Sequence, residues 1–539
     1  MSADIYSKIN NKVGAALVTV GPGATNAITG VAEAYVDSSA LFVISGQINS
    51  KLLAYQDETG IRQNGCQSIS LGPVVSSITK YFSVVDAPEK IGRIMSEAYT
   101  AATTGRLGPV WIDVPVNIQN AQIPDDMEIP DDIEEQKRKP SENEIENVLE
   151  YLKGAKRPLI YAGQGVKSSG GKELLHELCE NAGIPVVTSR MGIDLIESDN
   201  PLFVGRPGGY GNRAAHFALQ NADFILILGC RMSVSSIGYY PDRLGQHAKK
   251  IQVDIDPLEL NKTDVPKNLK ILADVKEFLL MFLDRVSKVE CDEWLNYCLS
   301  CKEKYPPVAV EQRDAQPINT YYFTEKLAEK TESDSVIVVD TGTVCNVVSQ
   351  SWSIKENQDY LISGGLSCMG YWAGVIGACY GRNKKEQIIA ITGDGSLQMN
   401  IQEFGTLKYY NLPVKLFVYN NEGYMLIRHN QHNYMNDRFL GVGPDSGVYV
   451  PDVCEIARAY GLECLKIKSR QEIDEKISYV MSYDGPIVCE VMCDTFQEMV
   501  PRLSSKVMPD GSLKASEFDD LCPFLSDEEM KQNRLYDND

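Results

Sequence analysis

Short runs of β-branched and aliphatic residues recur along this chain, at 15–20, 41–44 and 110–114, then at 158–162, 185–188, 224–228 and 250–255, with helix-periodic stretches between them. Runs that are apolar throughout, rather than at alternate positions, suit strands buried on both faces. Both faces are covered when helices connect parallel strands. The alternation therefore predicts an α/β chain of consecutive parallel-sheet domains. At 539 residues the chain is too long for one ordinary hydrophobic core, and the pattern divides into three blocks, 1–125, 145–290 and 310–505. A charged, proline-marked stretch, 126–144, reads as a linker, and 506–539 as an acidic tail.

Composition excludes several classes of function. With 52 Lys and Arg against 73 Asp and Glu, the net charge is −21, which repels phosphate backbones and anionic membranes; neither nucleic acid nor membrane is an expected partner. The opening MSADIYSKINNK holds no apolar signal core and no stretch is apolar enough to span a bilayer, so the expected location is the cytoplasm. Fourteen cysteines without a dense spacing pattern fit reduced thiols better than a disulfide framework. The CxxC of Cys298 and Cys301 lies in a helix-like stretch with no nearby histidine, and reads as helix packing rather than a zinc site.

One turn carries chemistry. In ITGDGSLQMNIQEF (391–404) a β-branched run ends at Gly393-Asp394-Gly395-Ser396, and Leu397, Ile401, Phe404 and Leu407 follow at helical spacing. Gly393 and Gly395 allow close backbone approach, and the start of the next helix favours an anionic oxygen cluster. A carboxylate and a phosphate in one place repel each other unless a hard divalent cation such as Mg²⁺ joins them. GDGS alone is a common strand-to-helix connection. What sharpens it is the next apolar run, LPVKLFVYNNEGYM (412–425), which ends in Asn420 and Asn421 and offers a neutral amide oxygen at the same carboxyl edge of a parallel sheet.

The motif pair resembles the diphosphate and Mg²⁺ motif of thiamine diphosphate (ThDP) enzymes, and the text around it resembles the large catalytic subunit of acetolactate synthase. The likeness is carried by ALVTVGPGATNAITGVAEAYVDSSALFVISGQ (16–47), GRLGPVWIDVP (105–115) and GGLSCMGYWAGVIGA (364–378). It implies three α/β domains that bind the pyrimidine, form the centre and bind the diphosphate. It implies that Asp394, Asn421 and the carbonyl of Gly423 hold Mg²⁺, that Gly393, Gly395, Ser396, Tyr424 and Met425 belong to the cofactor cradle, and that Pro22, Asn26 and Met369 meet the rest of ThDP. Gln47 and Lys80 match catalytic positions of the family. In that family the cofactor lies between two subunits, so a homodimer or homotetramer is implied; a regulatory subunit stays unassigned.

The resemblance also sets expectations where this chain departs from it. The glutamate that activates the aminopyrimidine is absent; by spacing from Tyr6 and Pro22 it belongs a few positions before Met1, so the first domain reads as incomplete, lacking its first strand and helix. The five histidines, His176, His216, His247, His429 and His432, include no adjacent pair, which disfavours simple aldehyde release of the pyruvate decarboxylase kind. Asn430 stands where a tryptophan, and Ser235 where an arginine, help choose a second 2-keto acid as acceptor. FAD is an open alternative: Gly163 and Gly165, after a strand, read equally as room for close phosphate approach and as a plain strand–helix turn, and Arg231, Asp254 and Asp274 match FAD-contacting positions of the family, while Ser76 and Ser233 replace an arginine and an aspartate. The implied activity is decarboxylation of pyruvate, or a related 2-keto acid, with transfer of the acyl unit to a carbonyl acceptor. A ThDP-dependent 2-keto acid decarboxylase and a non-catalytic ThDP-binding subunit stand as alternatives.

Overall fold

The β-branched runs form strands in three parallel sheets. The computed structural model describes residues 1–123, 127, 137–262, 264–384, 386–507 and 512–537; much of the expected linker at 126–144 lies outside the described residues. The chain packs as two units, Met1–Gln136 with Ser363–Ile388, and Lys137–Ile362 with Ile389–Asp539. No helix among the described residues is long and apolar enough to cross a membrane.

The first unit carries β1 (Gly14–Val18), β2 (Leu41–Gln47), β3 (Tyr81–Val84) and β4 (Pro109–Pro115) in the spatial order β1-β2-β4-β3. Strand β1 lies at one edge of this sheet, and its Leu17 is 81% exposed. The glycine-rich segment 363–388, read from sequence as part of the third block, packs within this unit against the helix Ser2–Asn10. Its glycines are required there, because a Cβ at Gly377 would lie 1.9 Å from the Ser2 carbonyl oxygen and one at Gly374 2.3 Å from Ile5.

A buried polar cluster ties this segment to the helices before it. Lys8 sits 3.0 Å from Asp37 and 3.1 Å from Asp4, and donates at 2.9 Å to the Tyr371 hydroxyl, which in turn donates to Asp4. Asp37 accepts the backbone N–H groups of Gly364 and Gly365, and Glu33 accepts the Ser363 hydroxyl at 2.7 Å. Burial pushes the Glu33 carboxyl up to about 8, with Asp37 beside it adding to the rise.

A raised carboxyl pKa means that the folded chain keeps a proton which the unfolded chain releases near its ordinary 4.5. The stability Glu33 contributes is therefore lost as pH rises through the window from about 4.5 to about 8, and is level above it. Glu33→Gln, neutral at every pH, is expected to flatten the stability profile across that window. Urea midpoints of the parent and the variant from pH 5 to 9 check this, and parallel profiles would count against it.

In the second unit, β5 (Pro158–Ala162), β6 (Val186–Thr188), β7 (Phe203–Gly205), β8 (Phe224–Leu228), β9 (Lys249–Asp254) and β10 (Leu269–Leu272) form a sheet in the order β10-β9-β8-β5-β6-β7. A third sheet joins β11 (Val336–Val339), β12 (Asp359–Ile362), β13 (Ile388–Gly393), β14 (Val414–Asn420), β15 (Glu463–Ile467) and β16 (Ile487–Met492) in the order β12-β11-β13-β14-β16-β15. The strands β5, β8, β11, β12 and β14 are buried at every position, as the continuous apolar runs require. The strand order reverses between β5 and β8 in the one sheet and between β11 and β13 in the other. Crevices at the carboxyl ends of such strands are where open α/β sheets bind ligands.

Candidate active site

The carboxyl ends of β13 and β14 meet at Asp394. This side chain is 1% exposed; one carboxylate oxygen accepts the Gly395 N–H at 2.8 Å and the other accepts the Gly423 N–H at 2.9 Å, so the turn after β14 is tied to the turn after β13. Gly423 has φ +127°, and a Cβ there would lie 2.4 Å from the Val442 carbonyl oxygen, so only glycine fits. Gly395 is held to glycine by the Tyr424 ring, whose nearest carbon would be 2.4 Å from a Cβ. Met425 opens the helix Met425–Met435 and is buried.

Two features of this cradle ask for a cation. Asn421 is 3% exposed and its side-chain oxygen is buried without a hydrogen-bond partner, a costly state for a polar atom in a protein interior. Burial also pushes the Asp394 carboxyl up to about 7, against the opposing effect of the two backbone N–H groups and of Arg428. An amide oxygen, a carboxylate and the carbonyl of Gly423 are hard oxygen donors of the kind Mg²⁺ takes.

Several residues around the cradle carried no sequence signal. Asp340, fully buried just after β11, accepts the hydroxyls of Thr392 and Ser396, both at 2.7 Å, and so fixes the Ser396 side chain at the β11–β13 crevice. Arg428 donates to the carbonyls of Asn421 at 3.2 Å, Glu422 at 2.9 Å and Val442 at 2.9 Å, and also to that of Thr495. One guanidinium thus clamps three backbone segments around the turn that bears Asn421. Asp340 follows a strand with no motif of its own, and Arg428 is one polar residue among many on its helix.

In the first unit, Pro22 opens the helix Pro22–Val36 after Gly21, whose φ is +67°, and Asn26 lies one turn on; both are exposed. Met369 is half-buried. Gln47, at the end of β2, is buried; its amide donates to Asp113 at 2.8 Å and to the Ile69 carbonyl at 3.1 Å, while its oxygen accepts the Ile48 N–H. Asp113 also accepts from Ser45, and Trp111 donates to Ser45. Burial pushes the Asp113 carboxyl up to about 6 despite these donors.

Lys80 is placed elsewhere. Its N–H bonds the Pro109 carbonyl at the start of β4, and its ammonium donates to the Thr104 carbonyl at 2.7 Å, whereas Gln47 pairs with Pro115 at the end of β4. Six strand residues, about 20 Å, separate the two levels. The sheet does not bring Gln47 and Lys80 together, because β3 enters beside β4 at its amino end.

The middle sheet gathers the other residues of interest. Gly163 and Gly165, Arg231, Asp254 and Asp274 lie at the carboxyl ends of β5, β8, β9 and β10, spread along that edge from the β5–β8 reversal to the outer strand β10. The close approach at the two glycines is to the chain's own backbone: a Cβ at Gly163 would lie 2.4 Å from the Gly229 oxygen, and one at Gly165 2.7 Å from the Gly229 Cα. Asp274 caps the helix Val275–Leu283 and lies 3.4 Å from Lys137. A cavity of about 500 Å³ in this unit is lined by Arg190, Tyr210, Ser235, Arg243, Asn346 and Tyr434, among others. Tyr434 is four residues beyond Asn430, hence on the same helix face.

Three of the histidines and the CxxC pair are engaged in structure. His216 and His429 bond backbone carbonyls and His432 bonds Asp437. Cys298 and Cys301 are buried on the helix Asp292–Lys304, with their thiols pushed up by burial. Twelve cysteines are free, but Cys454 and Cys464 form a disulfide, which the scattered spacing did not announce.

Comparison with known proteins agrees with this architecture. Models of the thiamine pyrophosphate enzyme N-terminal TPP binding domain, central domain and C-terminal TPP binding domain match residues 1–70, 145–282 and 340–491. The acetolactate synthase large subunit of Cyanidium caldarium is 30% identical over 518 residues, covering 93% of this chain and 86% of the relative. A probable acetolactate synthase large subunit of Methanocaldococcus jannaschii is 31% identical, covering 96% and 89%. The acetolactate synthase isozyme 1 large subunit of Escherichia coli K12 is 28% identical, covering 92% and 85%. With the C-terminal TPP binding domain falling on the Asp394 and Asn421 cradle, the chain belongs to the thiamine pyrophosphate enzyme family, as a ThDP-dependent enzyme resembling the acetolactate synthase large subunit.

Proposed function

We propose that the enzyme uses ThDP with Mg²⁺ to decarboxylate pyruvate, or a related 2-keto acid, and to transfer the acyl unit to a carbonyl acceptor. The observation that carries the metal is the buried, unpartnered side-chain oxygen of Asn421 beside Asp394. ThDP when bound supplies the carbon nucleophile and the electron sink that 2-keto acid decarboxylation needs. The chain's own part is to hold and orient. Asp394, Asn421 and the Gly423 carbonyl hold the cation, Gly393, Gly395 and Ser396 let a diphosphate approach, and Tyr424 and Met425 wall the cradle. In the first unit Pro22, Asn26 and Met369 are assigned to the rest of the cofactor. Gln47 is assigned a place at the reacting end, oriented by Asp113.

The acceptor is the point of departure from the relatives. Ser235 and Tyr434 line one cavity of about 500 Å³, with Asn430 one turn from Tyr434, and this supports an acceptor larger than a second pyruvate, such as a keto sugar or an aldehyde. Product analysis checks it: pyruvate alone is expected to be consumed slowly, and faster once such an acceptor is added. Rapid acetolactate formation from pyruvate alone would return the reading to an ordinary synthase.

FAD in a structural role is supported by Gly163, Gly165, Arg231, Asp254 and Asp274 lying along one carboxyl edge of the middle sheet, from β5 to β10, and opposed by the serines at 76 and 233. A homodimer or homotetramer is supported by the apolar side chains exposed between 427 and 449, where Tyr434, Leu440 and Tyr449 are 72%, 79% and 82% exposed. The relatives' description as large subunits supports a smaller regulatory partner. The expected location is the cytoplasm.

A further inference from the structure

The two asparagines that end β14 point to different tasks. Asn421 leaves its side-chain oxygen unpartnered, but Asn420 is bound at both ends of its amide. Its nitrogen donates to Glu490 on β16 at 2.7 Å, and its oxygen accepts the Glu422 N–H at 3.0 Å. One side chain therefore joins the neighbouring strand to the turn that carries Asn421 and Gly423. Glu490 is 1% exposed, and its other oxygen lies 2.8 Å from Lys466 on β15. Lys466 also bonds Asp452 at 2.6 Å, and Asp452 caps the helix Val453–Ala459 through the Glu455 N–H.

Asp452, Cys454 and Glu490 bring ligand atoms close enough together to hold a metal. Their arrangement answers that suggestion differently, because the Lys466 ammonium lies between the two carboxylates and Cys454 is spent in the disulfide with Cys464. A lysine already serves as the cation of this cluster.

We propose that Glu490 is a positioning residue of the metal site: it holds Asn420, and through it sets the 420–423 turn so that the oxygens of Asn421 and Gly423 face Asp394. Lys466, 2.8 Å from the other carboxylate oxygen, keeps Glu490 aimed. Sheet stability alone gives little reason for such a group, since a buried ion pair is often replaced by well-packed apolar residues without loss. A charge-assisted hydrogen bond to a ligand-bearing turn has a different use. Partners of this kind orient metal ligands, and their loss costs about 10–100-fold in metal affinity. The inference rests on the proposed Mg²⁺ ligands, so its test must separate the two.

Mg²⁺ titrated calorimetrically into the full chain with saturating ThDP provides that test. Glu490→Gln cannot accept from Asn420 and Lys466 together, because its amide nitrogen must face one of these donors. It is expected to weaken Mg²⁺ binding by about 10–100-fold. Asn420→Ala, which leaves the Glu490–Lys466 pair intact, is expected to do the same and serves if the glutamine variant does not fold. In Asn421→Ala, with one of the two positioned ligands removed, adding Glu490→Gln is expected to cost less than it costs the parent. Unchanged affinity in either Glu490→Gln or Asn420→Ala, or simple additivity in the double variant, overturns the positioning role. Asp394→Ala separates the readings: if it too leaves Mg²⁺ binding unchanged, the metal site itself is misassigned, and Glu490 has nothing to position.

Discussion

Asp394→Ala is expected to lower the affinity for ThDP in the presence of Mg²⁺ by more than about a hundredfold, since loss of a partner that only orients a ligand already costs about 10–100-fold. Asp394 is the one anionic protein donor in the proposed set, and its two oxygens tie both turns together. Without it, the diphosphate loses the charge that its bridging cation needs, and the Gly423 N–H loses its acceptor. Calorimetry with ThDP and Mg²⁺ reads the effect directly. Affinity equal to that of the parent would show that the cofactor's metal is held elsewhere.

Lys8→Met is expected to destabilise the first unit by about 3–5 kcal/mol, the usual result of removing one member of a buried ion pair. Lys8 is buried between Asp4 and Asp37, and its charge is what holds the Asp37 carboxyl below the ordinary carboxylate range against the effect of burial. Methionine keeps the length and the apolar stem but strands two carboxylates. Urea unfolding monitors the loss, and adding Asp37→Asn is expected to restore part of it by removing one uncompensated charge. A Lys8→Met variant as stable as the parent would mean that this cluster is not the ion pair its geometry describes.

Much of the fold was legible because it is local. Apolar runs such as 158–162 and 224–228 are buried strands at the expected places, and the turns at Gly393 and Asn420 fall at one sheet edge because two consecutive parallel strands end there. What escaped depends on strand order and on partners far apart in sequence. Gln47 and Lys80 each match a catalytic position of the family, but β4 runs between β2 and β3, and that register separates their levels. Glu33 meets Ser363 across 330 positions, and a helical glutamate gives no sign that it will be buried and protonated. Glu490 reads as one polar residue in an apolar strand, and its meaning comes from Asn420 on one neighbour and Lys466 on the other. The glycines at 163 and 165 were legible as close approaches, but the backbone that approaches them belongs to residue 229.

The edge position of β1 bears on how the chain behaves in solution. Among the described residues β1 has a strand neighbour on one side only, and a leucine that is 81% exposed adds an adhesive spot to that edge. Copies of the chain are kept apart by a net charge of −21, a long-range repulsion that salt shortens to about 8–10 Å at ordinary ionic strengths. Colloidal stability here is thus a contest between a local sticky edge and a global electrostatic cushion, and added salt weakens only the cushion.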